Sequence, residues 1–193
     1  NGKYGKILND HKIKEIVQSA SGTYYMIGNL LDSDPLTPNS LFIAALDAEK
    51  NILWIQYIEG EKGGNSFYEV REPTINLDRL VLDEARGQIY LAGNYLGNFD
   101  FNPDPDIEQR GTCCRDNKKR IFISAYSTDG VHLWTTLPYH RSDYIQITDM
   151  TPTGGGDMLL CKNLGHRYQH SIYNDFEISR LRPDGRLTTF AYI

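Results

Sequence analysis

The chain predicts an all-β protein made of short antiparallel strands, and three observations lead there. Tyrosine occurs 13 times and glycine 17 times in 193 residues, a composition suited to strands and tight turns. Short apolar or alternating runs are separated by clusters of Asp, Asn and Gly, and no stretch has a convincing helical period. The same pattern then recurs three times along the chain.

The recurrence orders the elements. "TYYMIGNLL" at 23–31 is matched by "QIYLAGNYL" at 88–96 and "DMLLCKNLG" at 157–165. "SLFIAALDAEKNILWIQYI" at 40–58 is matched by "RIFISAYSTDGVHLWTTLP" at 120–138 and "DFEISRLRPDGRLTTFAYI" at 175–193. Ahead of each set lies another strand, "IKEIVQ" at 13–18, "DRLVLD" at 78–83 and "IQITDM" at 145–150, with starts 65 and 67 residues apart. Each unit therefore has four strands, A to D. "SASG", "DEARG" and "TPTGGG" join A to B, and "DAEKN", "STDG" and "RPDG" join C to D; these residues suit tight hairpins, where some positions need φ > 0.

Four-stranded units in tandem predict a β-propeller-type fold of three antiparallel blades in a single domain, 1–193. The blades span about 13–58, 78–138 and 145–193. Complete propellers have about four to eight blades, so this is a partial propeller, completed by more chain or by a partner, for example a second copy or another subunit. "GKYGKIL" ahead of the first strand would serve as a strand D of a preceding or neighbouring blade. The start at Asn1 suggests a mature or trimmed product.

Two stretches carry a family resemblance. Gly93, Gly97, Asp100, Phe101 and Pro103 fit one half of a repeat motif, and Phe122, Ala125, Asp129, Gly130 and Trp134 fit the other. Together they resemble the bacterial beta-propeller repeat called SBBP, clearly in the middle unit and weakly in the third, which lacks the Trp and the acidic stretch. The resemblance implies a bacterial protein that is secreted or attached to the cell surface. That family shares no single activity, so no catalytic residues come with it.

Charge and motifs narrow the function. A net charge of −5 disfavours a general nucleic-acid binder, which needs a basic surface. No apolar run approaches the ~18 residues of a membrane helix. The cysteines are Cys113, Cys114 and Cys161; three fit neither a full disulfide framework nor a four-sulfur zinc site. Cys161 reads as a small buried residue of an apolar strand, and a bridge to the Cys113–Cys114 pair is open in an oxidising compartment.

All A–B and C–D turns are short. The B–C connections (30–39, 95–119 and 164–174) and the first D–A connection (59–77) are long. In a blade these fall on one end, and loops on a rigid scaffold commonly carry function. Arg110, Arg115, Lys118 and Lys119 form a basic stretch suited to an anionic glycan, a phosphate or an acidic partner. Tyr139, His140, Arg141 and Tyr144, with His166, Arg167, Tyr168 and His170, supply the contact area and directed donors of an interface.

Asp100, Asn102, Asp104 and Asp106 alternate as calcium-loop oxygens do, although Pro105 and Gly111 stand where such a loop needs Gly and Glu. Otherwise that stretch is an Asx/Pro turn shielding a blade edge, and no cofactor is expected. The function predicted is a non-catalytic module that binds protein or glycan through its B–C loops within a larger assembly. The alternative is a glycoside hydrolase or lyase with its carboxylates at the same end, as Glu59, Glu61, Glu69 and Glu72 would permit.

Overall fold

The computed structural model describes residues 11–30, 40–61, 73–104, 106, 110–113, 119–138, 144–168 and 171–192; at 11, 61, 110–113, 166–168, 171–173, 190 and 192 it describes the backbone only. Among these residues there are thirteen strands and no helix, and so none long and apolar enough to cross a membrane.

The first unit is the antiparallel meander β1 (His11–Gln18), β2 (Tyr24–Leu30), β3 (Leu41–Leu46) and β4 (Ile52–Glu61). The second pairs β5 (Thr74–Asp83), β6 (Gln88–Asp100), β8 (Arg120–Ser127) and β9 (His132–Thr136) in the same way. The third is β10 (Tyr144–Pro152), β11 (Met158–Tyr168), β12 (Ser171–Leu181) and β13 (Leu187–Tyr192). The far end of β6 also pairs with Glu59–Glu61 of β4 on one side and with β7 (Arg110–Cys113) on the other. The described residues do not close into a ring.

Local chemistry explains the repeats. Five short hairpins share one pair of backbone hydrogen bonds, as in Ser127 N–H to Val131 O and Gly130 N–H to Ser127 O. In each, the fourth turn residue has positive φ: Gly22, Lys50, Gly130, Gly156 and Gly185. Glycine enters that region without a Cβ penalty, which is why four of the five are glycine. Each first strand also carries a bulge at the equivalent place, at Lys14, Asp78 and Thr148. A bulge sharpens local twist and re-aims the side chains that follow.

The units stack through their faces. The forward face of the first (Tyr25, Ile27, Leu41, Ile43) is buried with Leu77, Leu80, Leu91 and Phe122 of the second. The second unit's opposite face (Tyr90, Ala92, Ile121, Ile123) is buried with Ile147, Met150 and Leu160 of the third. Each joint follows one plan. The first strand of the later unit lies over the first three strands of the earlier one: β5 over β1, β2 and β3, and β10 over β5, β6 and β8.

Polar contacts repeat with the packing. The Glu15 carboxylate accepts from Leu80 N–H at 2.7 Å, and the Asp78 carboxylate accepts from Ile147 N–H at 3.2 Å. Trp54 Nε1 donates to Thr128 O at 2.9 Å, and Trp134 Nε1 donates to Pro183 O at 2.8 Å, each indole lying on a glycine of the next unit's hairpin. The inner strands are thus tied by carboxylates and the outer strands by tryptophans.

One position breaks the pattern. Gly28 faces Phe42 and Gly93 faces Phe122, and a Cβ on Gly93 would meet Asn76 O and stand 2.8 Å from the Phe122 ring. In the third unit the facing pair is Lys162 and Glu177, both fully buried and ion-paired. Ser179 and Thr189 hydroxyls donate to Glu177 Oε1 at 2.6 and 2.7 Å.

Candidate functional site

Where they are described, the predicted long connections are largely strand. β6 continues through residues 95–100, and β7 occupies 110–113 of the expected 95–119 loop. The expected 164–174 loop is a hairpin: β11 runs to Tyr168 and pairs with β12 down to Tyr168 opposite Ser171. β4 likewise runs to Glu61 inside the expected 59–77 connection, and β5 begins at Thr74. The expected loop at 30–39 begins with Leu30, the last residue of β2, and its remaining residues to 39 lie outside the described residues. Two ribbons therefore extend from one end of the molecule, and the opposite end is closed by tight turns.

The β6 ribbon is rooted by aromatic packing. Tyr95 meets Phe99 and Phe101 edge-on at 6.1 and 5.1 Å between ring centroids, and Phe101 lies 5.1 Å from Phe122. Phe99 and Phe101 are fully buried in the core between the first two units. The period of two at 95, 99 and 101 is the sequence signal for this anchor. Past it, Asp100, Asn102 and Asp104 each accept, through a side-chain oxygen, the N–H two residues on, at 3.1, 3.1 and 3.0 Å, the last donor being Asp106. These are three successive Asx turns. No group of three or more His, Cys, Asp or Glu among the described residues has the arrangement of a metal site.

The sequence-predicted contact residues fall as follows. Arg110 lies on β7 and His166, Arg167 and Tyr168 lie on β11, with His166 opposite Tyr173 and Arg167 opposite Ile172. The β11 set is on a two-stranded ribbon, because β10 begins at Tyr144, opposite Gly165. Tyr144 is exposed and its hydroxyl donates to Gln146 Oε1 at 2.7 Å. Lys119 is exposed just before β8. Arg115, Lys118, Tyr139, His140, Arg141 and His170 lie outside the described residues, as do Glu69 and Glu72. Cys161 is a half-buried free thiol.

Two clefts were not foreseen, because each is assembled from residues distant in sequence. An outer cleft of about 470 Å³ lies between the first two units, lined by Gln56, Asn102, Asp104, Asp129 and His132. Burial holds the His132 imidazole below its usual pKa, with the Asp100 charge acting against it, and Nε2 sits 2.9 Å from Thr135 Oγ1. An open inner groove of about 590 Å³ lies at the turn end, where β1, β5 and β10 diverge. Its carboxylates have structural partners. Asp83 pairs with Arg86 at 2.8 Å, and Glu84 accepts the Ala20 N–H. Among the described residues, both acids lining the groove are thus engaged by a partner.

No protein-family model matches the sequence, and no curated protein matches it.

Proposed function

We propose that the chain is a β-propeller-type module of three four-stranded blades that binds a protein or glycan partner through its ribbon end and acts within a larger assembly, without chemistry of its own. The observation that supports this best is the one-sided elaboration of the sheet: β6–β7 and β11–β12 extend at one end only, carrying Arg110, His166, Arg167 and Tyr168. The β6 ribbon is anchored by buried aromatic rings, and a preordered backbone lowers the entropic cost of binding. In the inner groove the carboxylates are committed to structure, which favours binding over hydrolysis there, while the outer cleft, with Asp104, Asp129 and His132, is where the hydrolase alternative would have to sit. A secreted or surface-attached bacterial setting belongs to the same proposal and rests on the repeat resemblance.

The test is a glycan array, with neutral and anionic oligosaccharides, probed with the wild-type chain and an Arg110→Ala, Arg167→Ala, Tyr168→Ala variant. Retention by the wild type, lost in the variant at unchanged thermal stability, supports ribbon-end binding. Release of reducing sugar from any retained glycan would replace it with the hydrolase alternative.

A further inference from the structure

Among the described residues, the stacking plan leaves two surfaces unmatched, one on the first unit and one on the third. At the head, Ile13 and Ile16 on β1 are 42% and 49% exposed. Their counterparts, Leu77 and Leu80 on β5 and Ile147 and Met150 on β10, are buried against the preceding unit. The rest of the first unit's rear face is already covered, since Met26, Phe42 and Ala44 are buried in a core of their own. Among the described residues, only the first strand of this face exposes large apolar side chains.

At the tail, Leu159 and Phe176 on the forward face of the third unit are 38% and 44% exposed, with Cys161 and Ile178 half-buried beside them. This face keeps the positions whose groups hold β5 at the first joint. Asp149 stands where Glu15 stands, is exposed, and accepts only its own neighbour's N–H, from Met150, among the described residues. Asn163 stands where Asn29 donates to Ile75 O of the next unit at 3.1 Å. The Asn163 amide oxygen, like that of Asn94 in the same column, is buried without a hydrogen-bond partner among the described residues. The outer tie is missing: Thr188 and Thr189 occupy the place of Trp54 and Trp134. A face with inner ties and no outer tie suits a partner that presents a first strand and nothing more.

We infer that the tail face receives β1 of a second copy of this chain, and that two copies close head to tail into a pair with six units. Ile13 and Ile16 of one copy cover Leu159, Phe176 and Ile178 of the other, as Leu77 and Leu80 cover the first unit within the chain. The exposed Lys12 and Lys14 on β1 bring positive charge to Asp149. Each contact is heterologous, and two of them close the pair because six units fall within the range of complete rings. Without the tryptophan tie the association is reversible. The inference rests on the blade-stacking part of the proposed function and is independent of the ribbon ligand.

Sedimentation of the purified chain up to about 100 µM tests it, alongside Ile16→Glu and Phe176→Glu, both at exposed sites, with circular dichroism to verify folding. The expected wild-type result is reversible formation of a species twice the 22.0 kDa chain. Either variant alone raises the dissociation constant about 30-fold or more, the scale of losing an interface hot spot. An equimolar mixture of the two variants regains the pair, because one intact head then meets one intact tail. A wild-type monomer, a dimer indifferent to Ile16→Glu, a mixture that stays monomeric, or open-ended growth would each overturn the inference. Trp54→Phe, measured in the same series, separates the two levels: loss of stability there upholds stacking within the chain even if no pair forms.

Discussion

At the residue scale the Lys162–Glu177 pair is the most informative departure from repetition. Two charges without solvent access are costly to desolvate, and deleting one partner of such a pair commonly costs about 3–5 kcal/mol. Glu177→Gln is therefore expected to lower the urea midpoint by an amount corresponding to about 3 kcal/mol. The double substitution Lys162→Gly with Glu177→Phe restores the pairing used in the other two units and should recover most of that loss. A double variant as unstable as the single one would show that the site needs charge. Both halves of this exchange stand in the aligned repeats, Lys162 in the column of Gly28 and Gly93, Glu177 in the column of Phe42 and Phe122. They are hard to notice there, because a lysine and a glutamate in a strand ordinarily signal a solvated face.

At the scale of elements, the joints depend on side chains reaching from one unit to the next. Trp54→Phe keeps most of the apolar body and removes one hydrogen bond, so it should cost about 1 kcal/mol. Trp54→Ala also opens the hairpin contact and should cost about 3 kcal/mol; thermal melts of the two variants check the ordering. The strands themselves are legible in the sequence, since apolar runs and Gly-containing turns fix where twelve of them lie and which neighbours they pair with. The ribbons are less so. "YLGNFD" at 95–100, "GHRY" at 165–168 and "SIY" at 171–173 are rich in Gly, Asn, Ser and His, which local preference assigns to loops. They are strands because the backbone at a sheet's end finds hydrogen bonds by extending the ladder, and because Phe99 and Phe101 have a core to enter. The clefts could not be read at all, since no local spacing links Gln56 with Asp104 and His132.

At the scale of the whole molecule, the two joints should respond differently to acid. Burial alone would raise the Glu177 pKa, but Lys162 and the Ser179 and Thr189 hydroxyls outweigh it and hold the carboxyl at about 2. A carboxyl whose folded pKa is depressed contributes stability above its unfolded value, and that contribution is lost as pH falls through the folded value. The face carrying Glu177 packs on the second unit, so the joint between the second and third units should lose the Glu177 contribution between about pH 4.5 and 2, with Asp78, whose carboxyl burial pushes up, acting in the opposite sense at the same joint. Trp54 reports on one joint and Trp134 on the other. In single-tryptophan variants, Trp134 emission should shift at a higher pH than Trp54 emission; coincident shifts, or the reverse order, would contradict it. The same pair has a bearing on heredity. Tandem repeats are prone to out-of-register recombination, which here would excise the middle repeat and splice the outer two together. The product would press Lys162 and Glu177 into a socket shaped around Gly93 and Phe122, where Ile27 replaces the smaller Ala92. A chain shortened in that way is expected to fold less stably than one with all three units.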